Sequence, residues 1–132
     1  MNLEGKNVFL SGGMSGYDHY NVEAFANAHA IVRELGAKCV YDPAFAWLMQ
    51  PAADDAKLTH EDYMRKCLHE LTRVAYCQSD GAFYDLLVSL PHWGKSEGAV
   101  TERSVAEACG IECVDLDELY LASMELKHEC RR

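Results

Sequence analysis

The sequence predicts an α/β protein in which a parallel sheet carries helices on both faces. Three observations predict it. Short apolar runs alternate with longer amphipathic segments in the order β-α-β-α-β-α-β-α. The run from Ala82 to Leu90 is apolar almost throughout, as a strand buried on both faces must be. The first strand gives way to a helix through a glycine-rich loop, Ser11-Gly12-Gly13-Met14-Ser15-Gly16.

Lys6–Ser11 is the first predicted strand, and the loop that follows it leads to a helix over Asn21–Leu35. On that helix Val22, Phe25, His29, Val32 and Leu35 fall near one face, and Gly36 is its stop. Lys38–Asp42 is a second strand ended by Pro43, followed by a long connection, Asp42–Leu58. Connections of that length inside compact domains are commonly lids. Thr59 and Asp62 have the spacing of a capping box, opening a helix to about Tyr76 with Met64, Cys67, Leu68, Leu71, Val74 and Ala75 as its apolar stripe. Glu61 with Arg65, and Asp62 with Lys66, have i,i+4 spacing on its other side. After the Gln78–Gly81 turn comes the strand Ala82–Leu90, then a loop to Lys95, a helix Ser96–Cys109 closed by Gly110, a fourth strand Ile111–Val114 and a last helix from Asp117. We expect one three-layer domain spanning residues 1–132, with a four- or five-stranded sheet.

Composition narrows the partners. Twelve basic against 21 acidic residues leave a net charge of −9, which argues against a protein that grips duplex nucleic acid through its phosphates. A small phosphorylated ligand remains compatible, because a single pocket can be dipole-lined within an acidic surface. No apolar run approaches the ~20 residues of a membrane helix. The first six residues lack a signal-peptide layout, so a cytoplasmic protein with reduced thiols is expected. The six cysteines form no CxxC pair, and Gly110 breaks the helix between Cys109 and Cys113, so no metal site is expected there; no cofactor is expected either.

In such sheets ligands bind outside the carboxyl ends of the strands, where strand order reverses. The Ser11–Gly16 and His92–Gly98 loops both lie at such ends. On a wheel at ~100° per residue, Gly98, Ala99, Glu102, Ala106 and Cys109 share one arc, with Arg103, Ser104 and Glu107 elsewhere. Glu102 thus stands among small and apolar residues. It either faces a cleft, with Gly98 one turn earlier leaving room for a ligand, or forms a structural ion pair with Arg33 or Arg65. In a cleft, the nearby helix N-terminus would favour its ionised form, the form a nucleophile at a sugar carbon needs. Ser96 can cap that helix or donate to a phosphate oxygen.

These residues carry a resemblance. Val8 to Tyr17, with Asn21 through Phe25, resembles the opening of the nucleoside 2-deoxyribosyltransferase-like proteins. The segment from Leu90 to Glu102 (Leu-Pro-His-Trp-Gly-Lys-Ser-Glu-Gly-Ala-Val-Thr-Glu) is similar to the second signature of one small branch of phage and bacterial proteins, the DUF4406 type. The likeness runs from about Val8 to Leu119, and the second motif is its specific part. It implies a flavodoxin-like sheet, subunits that pair as a homo-oligomer, and cleavage of the N-glycosidic bond of a nucleoside or nucleotide. Glu102 takes the nucleophile's place, and Ser96 matches a serine that holds a 5′-phosphate. Gly12, Gly13, Met14, Ser15, Gly16 and Tyr17 lie by sugar and phosphate, with Ser11 and Ser15 as possible phosphate donors, and Gly98 and Ala99 border the pocket.

The sequence also departs from that pattern. Phe9 stands where relatives carry a tyrosine, and Cys67 where they place an aspartate that helps the base depart. Asp80 or Asp62 would then supply the acid, while Asp85 reads as structural. One of Tyr17, Phe45, Trp47 and Trp93 would stack on the base. His92 beside the motif is an alternative acid or base, and His19 and Tyr20 border the pocket. A binding protein that no longer turns its ligand over, and a structural protein that keeps only the fold, are the other readings. A phosphoribohydrolase of the lysine-decarboxylase-like type also places a glutamate after a glycine-rich turn, but its double-glycine phosphate motif is absent.

Overall fold

The computed structural model describes residues 2–14, 17–48, 59–75 and 81–130. Four strands, β1 (Asn7–Ser11), β2 (Cys39–Tyr41), β3 (Leu86–Ser89) and β4 (Glu112–Asp115), form one sheet of order β2-β1-β3-β4, parallel throughout. Among the described residues five α-helices accompany them: α1 (Val22–Glu34), α2 (Pro43–Leu48), α3 (His60–Leu71), α4 (Glu97–Ala108) and α5 (Leu116–Cys130). This is the flavodoxin-like three-layer arrangement expected from the order of elements. The chain steps from β1 outward to β2 and then back across β1 to β3, so the switch point lies between β1 and β3.

Strand β1 serves both layers through its period of two. Val8 and Leu10 join Phe25, Ala28, Ile31 and Val32 of α1 and Leu119 of α5 in one apolar cluster. Phe9 turns the other way and packs with Cys67 and Leu71 of α3 and Ala106 of α4. Its ring lies 5.1 Å from that of Tyr41 and 5.5 Å from that of Tyr84. The apolar Phe9 is therefore fully used as packing.

Several boundaries differ from those predicted, each for a local reason. The helix expected to reach Tyr76 stops at Leu71, where the Thr72 hydroxyl donates to the Leu68 carbonyl at 2.7 Å. The chain then folds back on the lead-in to β3. Ala75 N–H donates to the Gly81 carbonyl at 2.7 Å and Phe83 N–H to the Arg73 carbonyl at 2.9 Å, with a Val74–Ala82 antiparallel bridge. Val74, placed in the buried stripe by periodicity, is 72% exposed. Ala82 and its neighbours accordingly precede the strand that was expected to begin there. The connection after Asp42 begins with α2, whose first residue is a proline and whose start is held by Phe45 N–H donating to Asp42 Oδ1 at 3.1 Å.

The capping box of α3 forms as predicted. Asp62 N–H donates to Thr59 Oγ1 at 3.1 Å, and Asp62 Oδ2 accepts from Thr59 N–H at 2.9 Å. Arg65 turns back to Asp62 rather than pairing with Glu61. Asp85 is structural: its Oδ2 accepts from Asn7 N–H at 2.9 Å and fixes the start of β1 against β3. Cys39, Cys67, Cys109 and Cys113 are free thiols. Among the described residues no helix is long and apolar enough to cross a membrane.

Candidate functional site

At the carboxyl end of β1, next to the switch point, the sheet opens into a cavity of about 300 Å³. Its walls come from the loop after β1 (Gly12, Gly13, Met14, Tyr17), from one face of α3 (His60, Tyr63, Met64, Cys67) and from the head of α4 (Lys95 to Gly98, and Glu102). The α3 residues stand at i, i+3, i+4 and i+7, so a single helical stripe faces the cavity.

Glu102 is the residue on which the site turns. It is only 5% exposed, on the buried face of α4 with Ala99 and Ala106. Ser11, whose side chain shares with Phe9 the sheet face toward α3 and α4, donates its hydroxyl to Glu102 Oε1 at 2.9 Å. Glu102 Oε2 is buried with no hydrogen-bond partner among the described residues. Burial pushes the carboxyl up from its ordinary value of 4.5 to about 8, against the opposing pull of the Ser11 bond. Burial therefore favours the protonated form of the carboxyl, against the expectation that the nearby helix N-terminus favours the ionised one. Glu102 lies in the second turn of α4, where the helix dipole has already faded and desolvation decides. The ion-pair alternative is not realised. Arg33 donates to the carbonyls of Ala37 and Lys38, and Arg65 pairs with Asp62.

Other sequence-predicted residues fall in three groups. Gly12, Gly13, Met14, Tyr17, Ser96 and Gly98 are brought together around the cavity with Glu102. Gly12 is required for space, since a Cβ there would come within 2.9 Å of Leu90 Cβ, whereas one on Gly13 would meet only the Tyr17 ring, at 2.8 Å. Ser96 caps α4, its Oγ accepting from Ala99 N–H at 3.2 Å, which leaves its own hydroxyl proton for a ligand.

A second group is placed elsewhere. Ser11 is fully buried behind Glu102 and supports it from there. Ala99 is buried as packing and supplies the N–H that Ser96 receives. Trp93 and His92 border a separate pocket of about 110 Å³ beside Asp115 and Asp117. The Arg103 guanidinium lies 4.5 Å over the Trp93 ring while donating to Ser89 Oγ at 3.0 Å and Asp115 Oδ1 at 2.8 Å. Phe45 is exposed on α2 and lines no part of the cavity. Cys109, drawn on the Glu102 arc, caps α4 and is exposed because the helix has ended. Asp62 is committed to the cap: the Thr59 N–H, the Thr59 hydroxyl and Arg65 all bind it and hold its carboxyl below the usual range. It is unsuited to the acid's role considered for it.

A third group, Ser15, Gly16 and Asp80, lies outside the described residues; of Trp47 only the backbone, in α2, is described. Conversely, Lys95, Tyr63 and Met64 join the cavity without having been foreseen, and His60, read as a capping-turn residue, lies on its wall. The signal was available in part: His60, Tyr63, Met64 and Cys67 have helical spacing, but a stripe at that spacing reads as core until a cavity is seen beside it.

The segment behind Tyr17 is strained. His19, Tyr20 and Asn21 all adopt left-handed backbone angles, with φ of 48°, 57° and 65°. Two contacts offset that cost. Asn21 Nδ2 donates to the Gly13 carbonyl at 3.1 Å, and the Tyr20 ring packs 5.6 Å from that of Tyr63. The strained turn thus clamps the glycine loop to α3. His19 borders a neighbouring pocket and not the Glu102 cavity.

Fold and site together define a flavodoxin-like α/β protein with a buried carboxyl at a ligand-sized opening on its switch point. Residues 6–115 match the family described as Domain of unknown function (DUF4406), and the chain belongs to that family. No curated protein and no solved structure matches it.

Proposed function

We propose that the cavity takes a nucleoside or nucleotide and that Glu102 attacks the anomeric carbon of its sugar, releasing the base by N-glycoside cleavage or passing the sugar to an acceptor. The observation that carries this is the unpartnered Oε2 of a buried glutamate on the wall of the 300 Å³ cavity. Burying such a group costs several kcal/mol unless a ligand repays it. Ser11 binds only the other oxygen, so it orients the carboxyl without occupying both of its oxygens. The resemblance of Leu90–Glu102 to the second signature supports the same assignment. Ser96, and the helix start it caps, where a helix leaves its first N–H groups without intrahelical partners, suit a phosphate or a sugar hydroxyl. Tyr17, 48% exposed at the rim, suits a base face.

The test is release of free base from a panel of nucleosides and 5′-monophosphates, followed by chromatography. Wild-type protein should release base, and Glu102→Gln should lower the rate by roughly 10³-fold or more. Activity that survives the substitution rejects the assignment.

A second reading is favoured by the protonation of Glu102. A carboxyl that titrates at about 8 is a hydrogen-bond donor at neutral pH and suits a module that binds without turnover. Cys67, where relatives carry an acid, is consistent with it. Calorimetric binding without product would select this reading.

A further inference from the structure

We propose that His60 is the proton donor to the departing base, an inference that rests on the N-glycoside cleavage proposed above. The base leaves with the electron pair of the broken C–N bond and must gain a proton. His60 opens α3 and lines the cavity. A Cβ built on Gly98 would stand 3.6 Å from its Cε1, so the imidazole lies against the bare turn of α4 that precedes Glu102 by four residues.

Other titratable groups among the described residues face the cavity or stand beside it. Burial raises the Tyr63 phenol far above neutrality, and Asp62 is bound within the capping box. Cys67 sits deep on the same stripe, 5% exposed. Lys95 and Glu97 enter from the head of α4, and Tyr17 from the glycine loop. Imidazole is the side chain whose ordinary titration lies nearest neutral pH.

The step balances. A Glu102 carboxylate oxygen forms a bond to the anomeric carbon as the C–N bond breaks, and the imidazolium of His60 passes its proton to the base nitrogen. Water then bonds to the anomeric carbon, the ester bond to Glu102 breaks, and the neutral imidazole takes the water's proton. Attack needs Glu102 as the carboxylate, so the proton that burial favours on it leaves to solvent first.

The experiment compares two leaving groups in wild type and His60→Gln. One substrate is a 2′-deoxynucleoside whose base must be protonated, and the other is 4-nitrophenyl 2-deoxyriboside, whose phenolate needs no proton. In His60→Gln, release of the base should fall on the order of 10²-fold. Release of nitrophenolate should fall far less, and the alkaline limb of the kcat/KM profile for the base should disappear. Equal losses on both substrates, or no loss on either, would overturn the role of His60 while leaving Glu102 as nucleophile. Wild type releasing neither product would overturn the glycosidase reading and this inference together.

Discussion

The two layers that flank the sheet differ at its carboxyl end. Toward α1 and α5 the sheet is sealed along its length by Leu3, Val8, Leu10, Phe25, Val32 and Leu119. Its buried hydroxyl, Ser123, is satisfied by Glu34 at 2.8 Å. Toward α3 and α4 the packing is equally apolar around Phe9, Leu71 and Leu87 but gives way to Ser11, Glu102 and a cavity at the carboxyl end. Neighbouring residues on α4 repeat the contrast. Arg103 is held by Ser89, Asp115 and the Trp93 ring, whereas Glu102 beside it is half satisfied. A buried polar group with every bond made is structure; one left incomplete beside open space is a site in waiting.

The contrast can be broken from the sealed side first. Phe25→Ala should cost about 3–5 kcal/mol in denaturant unfolding, because a fully buried ring leaves a void that neighbours on three elements cannot close. A comparable loss of apolar volume at Met64, which already borders open space, should cost clearly less.

The pH dependence of stability sharpens the comparison on the open side. The folded carboxyl of Glu102 titrates at about 8 against an ordinary 4.5, so the folded chain keeps a proton that the unfolded chain releases. The contribution is fully present below about 4.5 and is lost as pH rises toward about 8. Wild type should therefore lose on the order of a few kcal/mol relative to Glu102→Gln between pH 5 and pH 8. Parallel curves for the two proteins would mean that the carboxyl is not desolvated.

The glycine loop gives the smallest effect. Gly12→Ala should destabilise by about 1–3 kcal/mol, since the clashing Leu90 Cβ is fixed to its backbone. Gly13→Ala meets only the tip of the Tyr17 ring, which can swing aside. It should leave the thermal midpoint nearly unchanged while weakening ligand binding.

Much of this was legible in the sequence. The order of elements and the buried run before Leu90 predicted the parallel sheet, and Gly98, Ala99 and Ala106 around Glu102 drew attention to a carboxyl that is buried at a cavity wall. What remained hidden depended on contacts distant in sequence. The end of α3 at Leu71 is set by pairing between 73–75 and 81–83, which periodicity does not report. Ser11 reads as a phosphate donor from its loop, yet strand alternation turns it behind Glu102. Trp93 sits inside the signature, but the left-handed His92 before it and the Arg103 guanidinium over its ring carry it to another pocket. The upward push on the Glu102 carboxyl follows from burial depth, a quantity that a helical wheel does not supply.

The most direct test is to stop turnover with acid after mixing protein and a 2′-deoxynucleoside, digest, and map covalent sugar by mass spectrometry. A deoxyribosyl ester on the peptide that contains Glu102, absent from Glu102→Gln, is the predicted result. Base release with the sugar attached to another residue, or with no adduct at any quench time under conditions where turnover is limited by the second step, would contradict it.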